Sequence, residues 1–155
     1  MKLKRFLCAL LVFGTVTGFL AVPANAAEVT SKDVLWLDDL AWEWVDLPTM
    51  EHWEESLMPR TNTPADGVIS AHSTCTLGQT ISLQAGDTVT FNCSYSPSPA
   101  SLDFGVITSD GRFYSINVKG GSINQTIGIS QSGSYFVAIR NNSSQTVRVV
   151  GFVNY

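Results

Sequence analysis

The sequence predicts a small all-β domain, an antiparallel sandwich of jelly-roll or Ig-like type with about eight strands, preceded by a short helical arm. Three observations predict it. From Val68 onward apolar residues alternate with polar ones, the period of a half-buried strand. Turn residues punctuate that stretch at the spacing typical of sandwiches. No run of helical length separates the strands, which excludes a parallel α/β sheet.

The N-terminus has the three zones of a secretory signal. Lys2, Lys4 and Arg5 are followed by an apolar run from Phe6 to Val22, then by Pro23 and the small-residue site Ala24-Asn25-Ala26. The run is shorter than the roughly 20 apolar residues a spanning helix needs. Residues 1–26 therefore read as a signal peptide, which implies a secreted or cell-surface protein with no membrane insertion after cleavage. The Ala-x-Ala style of the site suggests a bacterial source. Cleavage leaves about 129 residues, enough for one domain. It also removes Cys8, leaving Cys75 and Cys93 as a pair that reads as a disulfide in an exported chain. The two lie on either side of the Ala85-Gly86 turn, so a hairpin there would bring them together, with Gly78 absorbing a bulge.

Residues 27–66 form the predicted arm and linker. Leu37, Leu40, Ala41, Trp44 and Val45 fall on one helical face, with Thr30 and Asp33 as a capping box and Pro48 as the stop. A second helix is predicted from Met50 to Met58, with Met50, Trp53 and Leu57 on one face and Pro59 after it. Arg60 to Gly67 is turn-rich and reads as a linker. Residues 67–155 are the predicted sandwich. Its strands are carried by Ile81 and Leu83, by Val89 to Tyr95, by Leu102 to Val106, by Phe113 to Val118, by Ile123 to Ile129, by Tyr135 to Ile139, and by Val147 to Val153. Ala85-Gly86-Asp87, Asp110-Gly111, Gly120-Gly121 and Asn141 to Ser144 supply turns, Asp-Gly being a strong hairpin signal.

Charge divides the chain in the same place. Glu28 to Asp66 holds ten acids against Lys32 and Arg60, a net of −8; Gly67 to Tyr155 holds three acids against four bases, a net of +1. Phosphate backbones want clustered Lys and Arg, so nucleic acid is excluded as a partner, and an anionic membrane surface would repel the arm.

Ser82 to Val89 with Gly86-Asp87, Leu102-Asp103-Phe104, Asp110-Gly111, and Gly133-Ser134-Tyr135-Phe136-Val137 share a layout. Over residues 81–155 that layout resembles bacterial pre-peptidase C-terminal-type and GOLD-like secreted β-sandwich modules. The resemblance implies a non-catalytic accessory or interaction module and carries over no site residues. Gly86 to Asn92 also looks like a cupredoxin strand, but a blue-copper site needs two His, a Cys and usually a Met. After Cys93 the chain has neither His nor Met.

Catalytic chemistry finds little support. His72 is the single His of the β-domain and lacks a Gly-x-Ser-x-Gly partner; Asp87 and Asp110 occupy turns that favour Asp, and Asp103 is expected to face solvent or pair with an Arg. Glu51, His52, Glu54 and Glu55 read as a solvated helical face rather than a metal site. No catalytic residue, metal or cofactor is assigned, and the protein is read as no enzyme. The feature that composition leaves unexplained is the placement of all four tryptophans, Trp36, Trp42, Trp44 and Trp53, in the acidic arm. Trp44 and Trp53 are expected to dock the arm, and Trp36 and Trp42 to reach an outside partner; all four are candidate contacts. The partner is a protein or a glycan. For a glycan, Tyr95, Phe104, Phe113, Tyr114 and Tyr135 would have to form an exposed aromatic face.

Overall fold

A computed structural model describes residues 34–53 and 63–155. The signal-peptide segment lies outside these residues. The described residues form twelve strands: β1 (Val34–Trp36), β2 (Trp42–Trp44), β3 (Glu51–Trp53), β4 (Thr63–Ile69), β5 (Thr74–Leu77), β6 (Ile81–Leu83), β7 (Thr88–Ser96), β8 (Leu102–Thr108), β9 (Arg112–Val118), β10 (Ser122–Gly128), β11 (Gly133–Asn141) and β12 (Val147–Asn154). They form two sheets. Sheet A has the order β1-β10-β7-β12-β4. Sheet B runs β2-β9-β8-β11-β5-β3, with β6 also pairing β11.

The alternation read from the sequence is the pleat of this sandwich. Along β7, Val89, Phe91, Cys93 and Tyr95 point inward while Thr88, Asn92, Ser94 and Ser96 face out. Phe91 and Tyr95 meet Phe104 of the opposite sheet, with ring centroids 5.7 and 6.2 Å apart. Strand β8 is buried along nearly its whole length because both of its faces are covered. Asp110-Gly111 makes the expected hairpin between β8 and β9, with Gly111 at φ 93° and its N–H donating to the Thr108 carbonyl.

The arm departs from expectation. Where it is described it is not helical: residues 34–53 form three short strands and two single 3-10 turns, Leu37–Asp39 and Leu47–Thr49, and the rest of the expected second helix, residues 54–58, lies outside the described residues. Strand β1 runs parallel to β10, β2 antiparallel to β9, and β3 parallel to β5. The first turn inserts Leu37 into the core between the sheets, with Leu40 packed beside it. Residues 45–50 then cross the outer face of sheet B. There Met50 buries itself against Ile107, Phe113 and Ala138, flanked by Val45, Leu47 and Phe136. The apolar residues that suggested one helical face serve two surfaces on opposite sides of a sheet. An isolated helix this short is marginal in water, and three free sheet edges offer the backbone a complete set of partners instead. The capping residues Thr30 and Asp33, and Leu57, lie outside the described residues.

The expected linker is corrected in part. Thr63–Ile69 is an edge strand paired along its length with β12, so the expected boundary at residues 66 and 67 falls inside a strand. An ion-pair network ties the arm to the sandwich. Arg140 donates to Asp103 Oδ2 at 2.6 and 2.9 Å and to Glu43 Oε2 at 2.7 Å, and Asn117 donates to Asp103 Oδ1 at 2.6 Å. The Arg140 guanidinium also stacks over the Phe113 ring. Asp103 thus takes the Arg partner expected of it, but it is buried rather than solvent-facing.

Candidate functional site

Strands β2 and β9 together place a set of aromatic and cationic side chains on one rim of the sandwich. Their register sets Trp42 opposite Tyr114 and Trp44 opposite Arg112. Alternation then puts all four on the same side of the ladder. Trp42 and Trp44 are 5.4 Å apart in an edge-to-face arrangement, and Trp42 and Tyr114 are 6.5 Å apart. The Arg112 guanidinium lies 5.9 Å from the Trp42 ring and 6.0 Å from the Tyr114 ring.

The hairpin fixes that guanidinium. Arg112 donates to Asp110 Oδ2 through Nε at 3.0 Å and to the Tyr114 hydroxyl at 3.2 Å. The Thr108 hydroxyl donates to the Asp110 carboxylate and accepts the Arg112 N–H. The Thr108 hydroxyl, and then Arg112, hold the Asp110 carboxyl below the usual carboxylate range, and Asp110 in turn pushes Arg112 up. The rings remain accessible: Trp42 is 45% and Trp44 65% exposed. The arrangement can offer flat apolar area and guanidinium hydrogen bonds to a partner with little ordering left to do.

The four tryptophans do not act as one set. Trp53 is half-buried and seals the gap between the sheets. A Cβ on Gly67 would lie 2.3 Å from its ring, and its indole N–H donates to the Val68 carbonyl at 3.3 Å. Trp36 lies on the outer face of sheet A, over Gly128. Of the pair expected to dock the arm, Trp53 does so, while Trp44 is the most exposed of the four. Sequence reading missed Arg112, and named Tyr114 only as part of an aromatic face with four residues that prove to be buried. The i, i+2 spacing of Arg112 and Tyr114 in a strand was the available signal, but what they face is fixed by pairing with residues about 70 positions away.

Other expectations are corrected. Tyr95, Phe104, Phe113 and Tyr135 are buried and Tyr114 is half-buried, so these five form no exposed aromatic face. Cys75 and Cys93 are free thiols, on β5 of sheet B and β7 of sheet A. The Ala85-Gly86 turn does not fold a hairpin between them, because it carries the chain from one sheet to the other. Burial pushes the Cys75 thiol up to about 12 and the Cys93 thiol up to about 11. His72 is exposed on a turn at φ 55°. His52 lies on β3, not on a helix, with Nδ1 bonded to the Thr76 hydroxyl. No group of three or more metal-binding side chains occurs among the described residues. A groove of about 390 Å³ beside β6 and the C-terminal Tyr155 holds Asp87, whose carboxylate accepts the Gln84 N–H and closes the turn.

No family model matches the chain, and no curated protein matches it. Among solved structures it is similar to Aeromonas hydrophila PliG, a periplasmic lysozyme inhibitor of g-type lysozyme. The identity is 16% and the TM-score 0.45, over 68% of this chain and 95% of that one.

Proposed function

We propose that this chain is an exported, non-catalytic binding module that recognises a protein partner through Trp42, Trp44, Arg112 and Tyr114. The observation that carries the reading is the exposed Trp pair packed against an arginine already locked by Asp110. Trp, Tyr and Arg are the residues that dominate binding energy at protein interfaces. A strand added to a sheet rim only to close an edge would be expected to carry polar side chains. Residues 1–26, read as a signal peptide, support export.

The test uses the chain from Ala27 onward, immobilised and exposed to the proteins of its native surroundings. Partners should be retained by the unaltered chain and by a Phe152→Ala control, and lost from a Trp42→Ala/Trp44→Ala variant of unchanged melting temperature. Equal retention by the double variant would refute the assignment of this patch.

A further inference from the structure

We propose that the outer face of sheet A is a second, independent binding surface, and that its ligand is a neutral polysaccharide. This goes beyond the protein-binding patch, which lies on the opposite sheet. The strand registers align outward residues into rows across the sheet. Asn124, Asn92 and Phe152 form one row, and Thr126 and Thr90 stand in the next, their hydroxyls 2.9 Å apart. Phe152 is 51% exposed. At the far corner Trp36 lies against Gly128. A Cβ there would come within 2.5–2.9 Å of three of its ring atoms, so only glycine lets the indole lie flat on the strand. The indole is 39% exposed, which leaves a ring face parallel to the sheet and open to solvent.

The chemistry selects the ligand. Strands β7 and β10 contain no ionisable side chain other than Cys93 and Tyr95, both of which point inward. The nearest charges toward the β4 edge, Asp66 and Arg148, neutralise each other at 2.8 Å. Among the described residues this face carries no unpaired charge to recognise phosphate, sulfate or uronate, and the net negative chain repels polyanions. Amides and hydroxyls are both donors and acceptors, as sugar hydroxyls are, and flat aromatic rings cover the C–H faces of pyranoses. Trp36 stands on the edge strand β1 and Phe152 on β12, beside the exposed Val150 and Val68, with the Asn and Thr side chains of β7 and β10 lying between the two rings. Three strand spacings and four residues separate Trp36 from Phe152, a diagonal of about 20 Å. That span suits a chain of several sugars rather than a monosaccharide.

The experiment titrates the chain from Ala27 onward with hydroxyethylcellulose, laminarin and mannan, and measures depletion onto crystalline cellulose and chitin. Heparin and polygalacturonate serve as anionic comparators. At least one neutral polymer should bind, and Trp36→Ala and Phe152→Ala should each weaken it about tenfold. Trp42→Ala/Trp44→Ala should leave it unchanged, which separates this surface from the protein patch. Phe152 is exposed, so its variant should keep the parent melting temperature. Absence of binding to every neutral polymer, preference for the anionic ones, or loss of binding in the Trp42/Trp44 variant instead would overturn the proposal.

Discussion

If the arm is a structural belt, Trp53 should matter more to stability than the more exposed Trp44. Replacing a fully buried Trp by Ala costs about 3–5 kcal/mol. Trp53 is half-buried, so about 2 kcal/mol is expected, with a few tenths more from its long hydrogen bond to the Val68 carbonyl. For a domain of this size that corresponds to a fall of roughly 8 °C in Tm. Trp44→Ala, at 65% exposure, should stay within about 0.5 kcal/mol. A double-mutant cycle makes the argument specific. Gly67→Ala places a methyl 2.3 Å from the Trp53 ring and should destabilise the parent protein. In the Trp53→Ala background the same substitution has room and should cost little. Differential scanning calorimetry of the four proteins reads the coupling directly. Additive effects, or equal melting of Trp53→Ala and Trp44→Ala, would refute the belt.

The ion-pair network should be asymmetric. Asp103→Ala leaves a mostly buried Arg140 with only the exposed Glu43 and should cost about 2 kcal/mol in urea unfolding, whereas Glu43→Ala removes an exposed partner and should cost under about 1 kcal/mol. The thiols give a chemical and a pH prediction. The chain from Ala27, unfolded in guanidinium without reductant, should titrate two thiols; none would show a bond. Because both folded thiols ionise only near pH 11–12, against 9.0 for an ordinary thiol, the unfolded state loses its protons first. Stability contributed by the neutral thiols is therefore complete below about pH 9 and declines as pH rises toward 11–12. Melting temperatures across that window should fall less steeply in Cys75→Ala/Cys93→Ala. Tyr135, raised first by burial, adds to the same slope in both proteins. Finally, the buried Tyr95 hydroxyl has no hydrogen-bond partner among the described residues. Tyr95→Phe should be neutral or stabilising by about 1 kcal/mol in thermal melts; a loss of that size would show an unseen partner.

The sandwich was legible in the sequence because a period of two is a local property. Val89, Phe91, Cys93 and Tyr95 announce an inner face without reference to anything else in the chain. The arm was not legible for the same reason. Leu37 and Leu40 are apolar because they enter the core, and Val45, Leu47 and Met50 because they cover Ile107 and Phe113 on another surface. Leu37, Leu40 and Val45, spaced by accident with Ala41 and Trp44 as one helical face, concealed the alternation of Trp42 and Trp44. The cysteines misled similarly: symmetry about a turn brings residues together only if that turn joins neighbours in one sheet. Of the rim patch, the tryptophans were visible by composition, but Arg112 and Tyr114 join them only through the β2–β9 pairing. Phe152 could have been found, since Val147, Val149 and Val153 set the inward parity and leave it outside.

Synthesis from the N-terminus delivers β1, β2 and β3 before any strand they pair with exists. Glu43 waits 97 residues for Arg140, and Val34 waits for Thr126. None of β1, β2 and β3 has a strand partner near it in sequence, and contacts so distant in sequence form slowly. The layout imposes an order of events: the sandwich assembles first, from the C-terminal two thirds, and the leading segment closes around it last. Strands β1, β2 and β3 stay unpaired for as long as their partners are incomplete, and an unpaired strand is a segment that can still be threaded through a narrow channel.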